Sequence, residues 1–597
     1  MTTNSTTPSE RRPLLAKTRT TASVDIEAPE QGHREDTQKT PLDEASRLAA
    51  LQAMPWYRRP SIAWFLPLVF LLAISLGMSQ ASEEQLIIKI VCKGHLKDSG
   101  VPLLLQQQTS YDDDPCHTAA VQAAAALVMS RIRSLKYVIA IFTIGFFTSL
   151  SDRYGRKYLM HITLTPMMLS QALIVYMARP SSTLGVGFLY ADAVLIGLVG
   201  AGTLLEPSMN AYIADCTPRE GRSMAIGFVL VSFAVGLIVG PILAGILTKL
   251  TGDISSAVII AIIVQCVLIV YVIVLPESLP KDVQQNAKST DHEGPVAVGS
   301  TKVEKTSILV KMKNGMLAVL DPLLLFLPGR LETSEDVNVA PSQYTLLVLV
   351  GSYAAMQFAS SGATTIIIPY TNLVFHWTAI EDDFYYSLSG AASFIVYVAI
   401  FPGLQKLYKI VVEKKSAKEA AVSVVRNPSL LAESSEIGQL SDVGISNAES
   451  QTIEEALHSS GTDAATRNKT VWNDLTFFMF GGILYIAGYL IVGILETEAS
   501  FLIEVCIRGL ASVSLPSFMS LITSYFPVHQ TGKALGGLCV LNTIVMTVSS
   551  LIYGWAFSKT SGTMPSAVFL ISGAFASISV LAGLSVWNTY KREEARK

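Results

Sequence analysis

"SLSDRYGRKYLM", Ser149–Met160, gathers an Asp, two Arg and a Lys around one Gly, between the apolar runs "IAIFTIGFF" (Ile139–Phe147) and "HITLTPMMLSQALIVYM" (His161–Met177). The pattern reads as a tight turn between two membrane-crossing helices. Gly155 permits a sharp reversal. Asp152 can cap the N-terminus of a neighbouring helix, where negative charge is favoured, and Arg156 can reach a carboxylate on the next helix pair. Simple anchoring at the membrane surface would need the Arg and Lys, but neither the Asp nor the Gly.

Working outward, half of the 597 residues are hydrophobic and 15% are charged, against roughly 25% charged in soluble domains. Charge collects in 1–60, 281–342 and 409–470. Between these segments apolar runs recur at about 20 residues, the length that crosses a ~30 Å hydrocarbon layer. Twelve spans are expected, at 62–82, 124–150, 158–178, 186–213, 222–248, 254–275, 343–370, 385–405, 473–495, 499–525, 533–557 and 564–588. The expected fold is an all-α membrane protein of two six-helix bundles, 61–280 and 343–590. A polar tail (1–60), a central loop (281–342) and a polar insert (409–470) complete it; the tail and insert read as disordered. Met316–Pro328 is apolar but too short to span. No secretory leader is visible in the polar first 60 residues.

Basic residues at Arg58, Arg59, Arg153, Arg156, Lys157, Arg219, Arg222, Lys406, Lys409, Lys414, Lys415, Lys591 and Arg592 fall on the side of the termini, while Asp112–Asp114, Glu381–Asp383, Glu496 and Glu498 fall opposite. The positive-inside rule then puts both termini in the cytosol, and a plasma or vacuolar membrane is expected. The sequons at Asn4 and Asn468 face the cytosol on this topology and are rejected. "SERRPLL", Ser9–Leu15, resembles an acidic dileucine sorting signal. A net charge of −3 gives no reason to expect nucleic acid.

"GFFTSLSDRYGRK" resembles the signature G-x-x-x-D-R-x-G-R-R/K of the major facilitator superfamily, with Gly145 set slightly further from Asp152 than is usual. Asp152, Arg153, Gly155, Arg156 and Lys157 are its core, and "YIADCTPREGR", Tyr212–Arg222, resembles the family's turn between helices 4 and 5, carrying Asp215 and Arg222. Gly227, Gly236, Gly240, Pro241 and Gly245 are similar to the helix 5 pattern of its proton-driven antiporters. "LPESLP", Leu275–Pro280, closes the sixth span as in tetracycline-resistance-type carriers. The long first outer loop and "RPSIAWFLPLVFLLA" also look like fungal relatives of the proton-coupled folate transporter. The resemblance implies a secondary transporter of a small solute by alternating access, proton-coupled, export favoured, with the solute and the bilayer as partners and the chain monomeric. An importer and a transporter-like sensor are the alternatives; deleting 409–470 separates a carrier, which keeps its flux, from a sensor, which loses its output. No nucleophile–base pair, metal-ligand cluster or phosphate-binding Gly loop is present, so neither an enzyme nor an ATP-driven pump is expected, and the only driving force expected in place of a cofactor is a proton gradient.

Ionisable groups inside a bilayer are costly and mark function. Glu206, about 12 Å from the cytosolic end of the fourth span at 1.5 Å per residue, is the first candidate for a proton site. Thr203, Glu206 and Asn210 form one helical stripe, and Pro207 should kink the helix. Glu504 and Arg508 stand at i, i+4 and can pair. Arg131 and Arg133 should snorkel to the interface, while Lys136 lies deeper, within reach of Glu83 or Glu84. Tyr353, Gln357, Ser360 and Thr364 form a polar stripe on the seventh span that should face a cavity or another helix. Cys92 and Cys116 share the first outer loop, on the oxidising side, and are expected to pair; Cys216, Cys266, Cys506 and Cys539 read as apolar filling.

Overall fold

The structure, a computed structural model, describes residues 54–98, 115–217, 222–279, 322–327, 343–400, 402–403, 406, 410, 447–526 and 528–594. The described side chains do not include those of 98, 145, 148–149, 152–153, 206–207, 210, 214, 222–224, 226, 343, 447–470, 528–531 and 593–594. The long helices are α1 (Ile62–Asp98), α2 (Ala119–Tyr154), α3 (Arg156–Ala178), α4 (Gly187–Leu198), α5 (Leu205–Cys216), α6 (Arg222–Thr251), α7 (Ser255–Val274), α8 (Gln343–Val374), α9 (Ala379–Ile395), α10 (Asn447–Leu495), α11 (Glu498–Ala511), α12 (Ser514–Ser524), α13 (Val528–Thr560) and α14 (Ala567–Glu594). Each expected span coincides with helix, and ten segments among the described residues are long and apolar enough to cross a membrane. Large apolar side chains on the outer faces are more than half exposed, among them Leu195, Leu230, Ile273 and Leu581, as a lipid solvent requires.

Several boundaries differ from the sequence reading. The fourth span is interrupted: Gly200, Ala201 and Gly202 all have positive φ, which separates α4 from α5 before Pro207 is reached. The tenth span is interrupted at Ser512–Val513, between α11 and α12. The eighth span begins at Ala379 because Thr378 and Glu381 form a reciprocal capping box. Within this span Val396–Ile400 is a π-helix. Glu381–Asp383 therefore lie inside a helix, and Asp382 and Asp383 are buried. The first span runs on to Asp98, which puts Cys92 in a helix rather than a loop. It is joined to Cys116 by a disulfide across 24 residues. Part of the polar insert is helical, since α10 starts at Asn447. Cys266, Cys506 and Cys539 are exposed, so they do not fill the core. The tail, the sorting-signal motif and nearly all of the central loop lie outside the described residues. Of Met316–Pro328 only Pro322–Leu327 is described, and Phe326 there is buried against the second half.

The apolar core explains how the halves are held. At the end bearing the termini each half has its own cluster, Phe65, Leu164, Tyr212 and Leu268 in the first and Leu349, Phe478, Phe518 and Leu521 in the second. At the far end one cluster unites both halves, from Leu86 and Met129 to Ile366 and Tyr553. Among the described residues the large apolar cluster shared by both halves therefore lies at the far end.

The helix 5 glycines, now on α6, divide by neighbour. A Cβ on Gly236 would lie 2.5 Å from Ala73 Cβ, and one on Gly240 2.5 Å from the Ile74 carbonyl oxygen, both on α1. Gly77 of α1 returns the contact, 2.8 Å from Pro241 Cδ. Gly245 faces α9, and Gly227 has nothing within 4 Å. Gly240→Ala should therefore lose about 1–3 kcal/mol by overpacking, read as a fall in melting temperature in detergent, whereas Gly227→Ala should match wild type. Equal melting points for the two would contradict the α1–α6 close approach.

Candidate functional site

The charged turn that opened the sequence is built around Glu277. Gly155 ends α2 and begins α3 with φ +104°, a conformation that L side chains rarely adopt. A Cβ there would also meet Glu277 Oε2 at 2.5 Å. Glu277 accepts from the backbone N–H of Arg156 at 2.9 Å and of Lys157 at 3.3 Å, so it fills the capping role at the α3 N-terminus. The Arg156 guanidinium lies 3.3 Å from Asp215 Oδ2 and donates to Ser151 Oγ at 2.9 Å. Ser278 Oγ donates to the same Asp215 oxygen at 3.2 Å. Lys157 Nζ donates to the Ile273 carbonyl. One knot therefore ties α2, α3, α5 and the end of α7. Arg156 does reach a carboxylate, as its position suggested. Glu277 was not singled out from sequence, although it stands in "LPESLP". Gly145 lies within α2, and the side chains of Asp152, Arg153 and Arg222 lie outside the described set.

Two carboxylate–guanidinium pairs lie in the membrane interior, one in each half. Arg133 Nη2 donates to Glu84 Oε1 at 2.6 Å, and its Nη1 donates to Thr365 Oγ1 on α8 at 2.9 Å. Snorkelling is thus overturned for Arg133, because α1 extends far enough to offer it Glu84; Arg131 is exposed. Lys136 lies within electrostatic reach of Glu83, Glu84 and Asp192. In the second half Arg508 Nε lies 3.4 Å from Glu504 Oε1. Arg508 Nη2 donates to Tyr385 Oη at 2.6 Å, and that hydroxyl donates in turn to Glu504 Oε2 at 3.4 Å. The guanidinium carbon sits 5.4 Å from the centre of the Tyr385 ring, and Tyr485 and Tyr489 stack beside it. The hydroxyls of Tyr386 and Tyr489 are buried without a hydrogen-bond partner.

Other expected groupings are rearranged. Thr203 does not share a helical face with positions 206 and 210: it lies in the break and donates to the Gly200 carbonyl. The side chains of Glu206, Pro207 and Asn210 are outside the described set. On α8, Tyr353 is buried and stacks on Phe518, with ring centres 4.4 Å apart, so it belongs to the second half's core. Gln357 donates to Asn542 on α13 at 3.1 Å, and Thr364 bonds its own helix. Ser360 lies beside Tyr485 of α10. Ser361 and Thr365, one position along, reach Ser549 and Ser550 on α13. The i, i+4 row 357, 361, 365 is the one that faces α13, a direction that spacing alone did not distinguish.

At the far end a clasp joins the halves. Gln85 on α1 donates to Asp382 Oδ2 at 2.7 Å, while Thr371 on α8 donates to Asp382 Oδ1 at 2.8 Å. Asn372 donates to Gln85 Oε1 at 3.0 Å, and Gln122 on α2 donates to Asn372 Oδ1 at 2.8 Å. Gln122 also donates to the carbonyl of Cys116, the disulfide partner, and His117 Nδ1 lies 3.0 Å from the Asn372 carbonyl. Ser387 on α9 donates to Ile238 on α6, and Ser134 on α2 to Thr547 on α13.

Two bundles joined face to face, each with an interrupted fourth helix and a buried ion pair, define a membrane carrier rather than an enzyme. The Major Facilitator Superfamily model matches residues 117–416, half of the chain, and the chain belongs to that family; it is a multi-pass membrane transporter of the secondary type. It is 22% identical over 524 residues to the uncharacterized membrane protein C14C4.07 of Schizosaccharomyces pombe, covering 85% of this chain and 76% of that one. It is 20% identical to the MFS-type transporter avaJ of Aspergillus versicolor, covering 89% and 90%. A peptide transporter POT, solved as a mutant in complex with sulfate, shares the fold with a TM-score of 0.50 at 13% identity, covering 92% of this chain and 98% of that one.

Removing one member of a buried pair strands the other charge. Arg508→Ala should cost about 3–5 kcal/mol, and Glu504→Gln combined with Arg508→Gln should cost less than Arg508→Ala alone. Melting temperatures of the purified variants check this; a double variant as unstable as Arg508→Ala would show that the two residues do not act as a pair.

Proposed function

We propose that the chain moves a small solute by alternating access, with a proton gradient as driving force and export as the favoured direction. The observation that carries the reading is the pair of interrupted helices. α4 breaks into α5 in the first half and α11 into α12 in the second, each in the fourth span of its six. Lipid cannot satisfy the backbone groups that such a break frees, so a break is tolerated where it is packed in protein or lines a cavity. Matched interruptions in two repeated halves are the usual mark of a central binding site. The Glu84–Arg133 and Glu504–Arg508 pairs offer charge to a solute between the halves, and the tyrosines around Arg508 offer aromatic faces. Glu206, close to the first break, remains the candidate for the transported proton. The cytosolic position of the termini and the plasma or vacuolar membrane belong to the same proposal.

The test uses purified protein in liposomes holding a pH-sensitive dye, with an imposed proton gradient. Organic anions, short peptides and lipophilic cations are offered in turn. One class should provoke proton flux, and its direction relative to the gradient separates export from import. Glu206→Gln should abolish gradient-driven accumulation while leaving solute exchange measurable, because the amide keeps the shape but cannot cycle a proton. Full coupling in a well-folded Glu206→Gln protein would remove that residue from the mechanism.

A further inference from the structure

α9 and α6 come from opposite halves and pack along their length. Near the far end their seam holds a groove lined by Pro241, Gly245 and Lys249 of α6 and by Ile380, Asp383 and Phe384 of α9. Asp383 forms its floor. The residue is 1% exposed, and both of its carboxyl oxygens are buried without a hydrogen-bond partner. A Cβ on Gly245 would lie 3.8 Å from the Asp383 Cβ, so the helices pass closely at this level. The neighbouring residue, Asp382, has the opposite surroundings. Both of its oxygens accept hydrogen bonds, one of them from Gln85 in the other half. Adjacent carboxyl groups thus divide the work at one seam: one fastens the halves, and the other sits between them with no partner.

We propose that Asp383 is a proton-binding site that sets whether the α6–α9 seam is closed. With the seam closed, the carboxyl is enclosed by apolar side chains and carries its proton, because an unpaired charge there is strongly opposed. When the seam parts, the carboxyl meets water, and the Lys249 ammonium on the groove wall comes within its reach. It then releases the proton and the open form is favoured. The proton leaves to solvent and no other bond changes. Among the described residues, the charged groups facing this pair of carboxyls are Glu381 on α9 and Glu84 on α1, beside Asp382, and Lys249 on α6, beside Asp383. α8 contributes the Thr371 hydroxyl, and Glu504 and Arg508 of α11 are engaged with each other and with Tyr385. Asp382 remains the acceptor for Gln85 and Thr371 throughout the closed state, so the proton that Asp383 binds does not compete with the clasp.

This inference rests on the alternating-access reading, and its test needs no solute. Wild type, Asp383→Asn and Asp383→Glu are placed in lipid nanodiscs. Backbone hydrogen exchange is followed across 238–250 and 371–389 at about pH 5 and about pH 8, with rates corrected for the intrinsic effect of pH. Wild type should lose about tenfold protection in both segments at the higher pH. Asp383→Asn should keep the low-pH protection at both values, and Asp383→Glu should respond as wild type does. Flat protection in wild type overturns the proposal, as does a wild-type response in Asp383→Asn. A flat Asp383→Glu variant overturns it too, because shape rather than acidity would then matter. If the seam responds but no solute flux follows the gradient, the coupling reading fails while the proton site stands.

Discussion

Inside a hydrocarbon layer no water completes an unmade hydrogen bond, and this constraint organises the whole molecule. Helices satisfy the backbone, and a charged side chain that enters the layer is costly unless it finds a partner on another helix or its own. Arg133 finds Glu84 and Thr365, and Arg508 finds Glu504 and Tyr385; at the surface turn Arg156 likewise finds Asp215 and Ser151. Partners so placed fix how neighbouring helices rotate and slide, since each pair holds only in one register.

The same constraint separates the two ends of the bundle. At the end bearing the termini each half closes on its own core. The charged knot around Glu277 is internal to the first half, so it can travel as one piece with that half. At the far end the polar clasp from Gln85 to Asp382 and Gln122 spans both halves, above a shared apolar cluster. Opening the far face means breaking these hydrogen bonds and exposing that cluster together. The Cys92–Cys116 disulfide adds no contact between halves, but it ties the α1 extension to the start of α2, the two segments that carry Gln85 and Gln122.

Close backbone approach complements the polar pairing. Gly236 and Gly240 bring α6 against α1, where dispersion and packing hold helices that gain nothing from excluding water. The interrupted spans do the reverse: they open the helices and leave backbone groups that only protein or a cavity can serve. Rigid seams and local breaks in one structure suit a carrier whose halves move as units around a central site.

The sequence by itself determined the membrane class, the positions of the spans and the family. Apolar runs of spanning length and charged turns are local properties, and "SLSDRYGRKYLM" with the glycines of α6 carries its meaning in spacing. It also showed that Glu504 and Arg508 could meet, because residues four apart share one face of a helix. Only the tertiary structure decided which groups meet across helices. Glu277 reaches Arg156 from 121 positions away, and Gln85 reaches Asp382 from 297 away, distances over which periodicity has no force. The helical placement of Asp382 and Asp383 did have a local signal, Thr378 with Glu381, which the hydropathy pattern concealed by making an acidic stretch look like a loop. The break before Leu205 had one in Gly200 and Gly202. Such signals say where a helix begins or ends; which carboxyl is bonded and which is left alone in the seam depends on how two halves of the chain close upon each other.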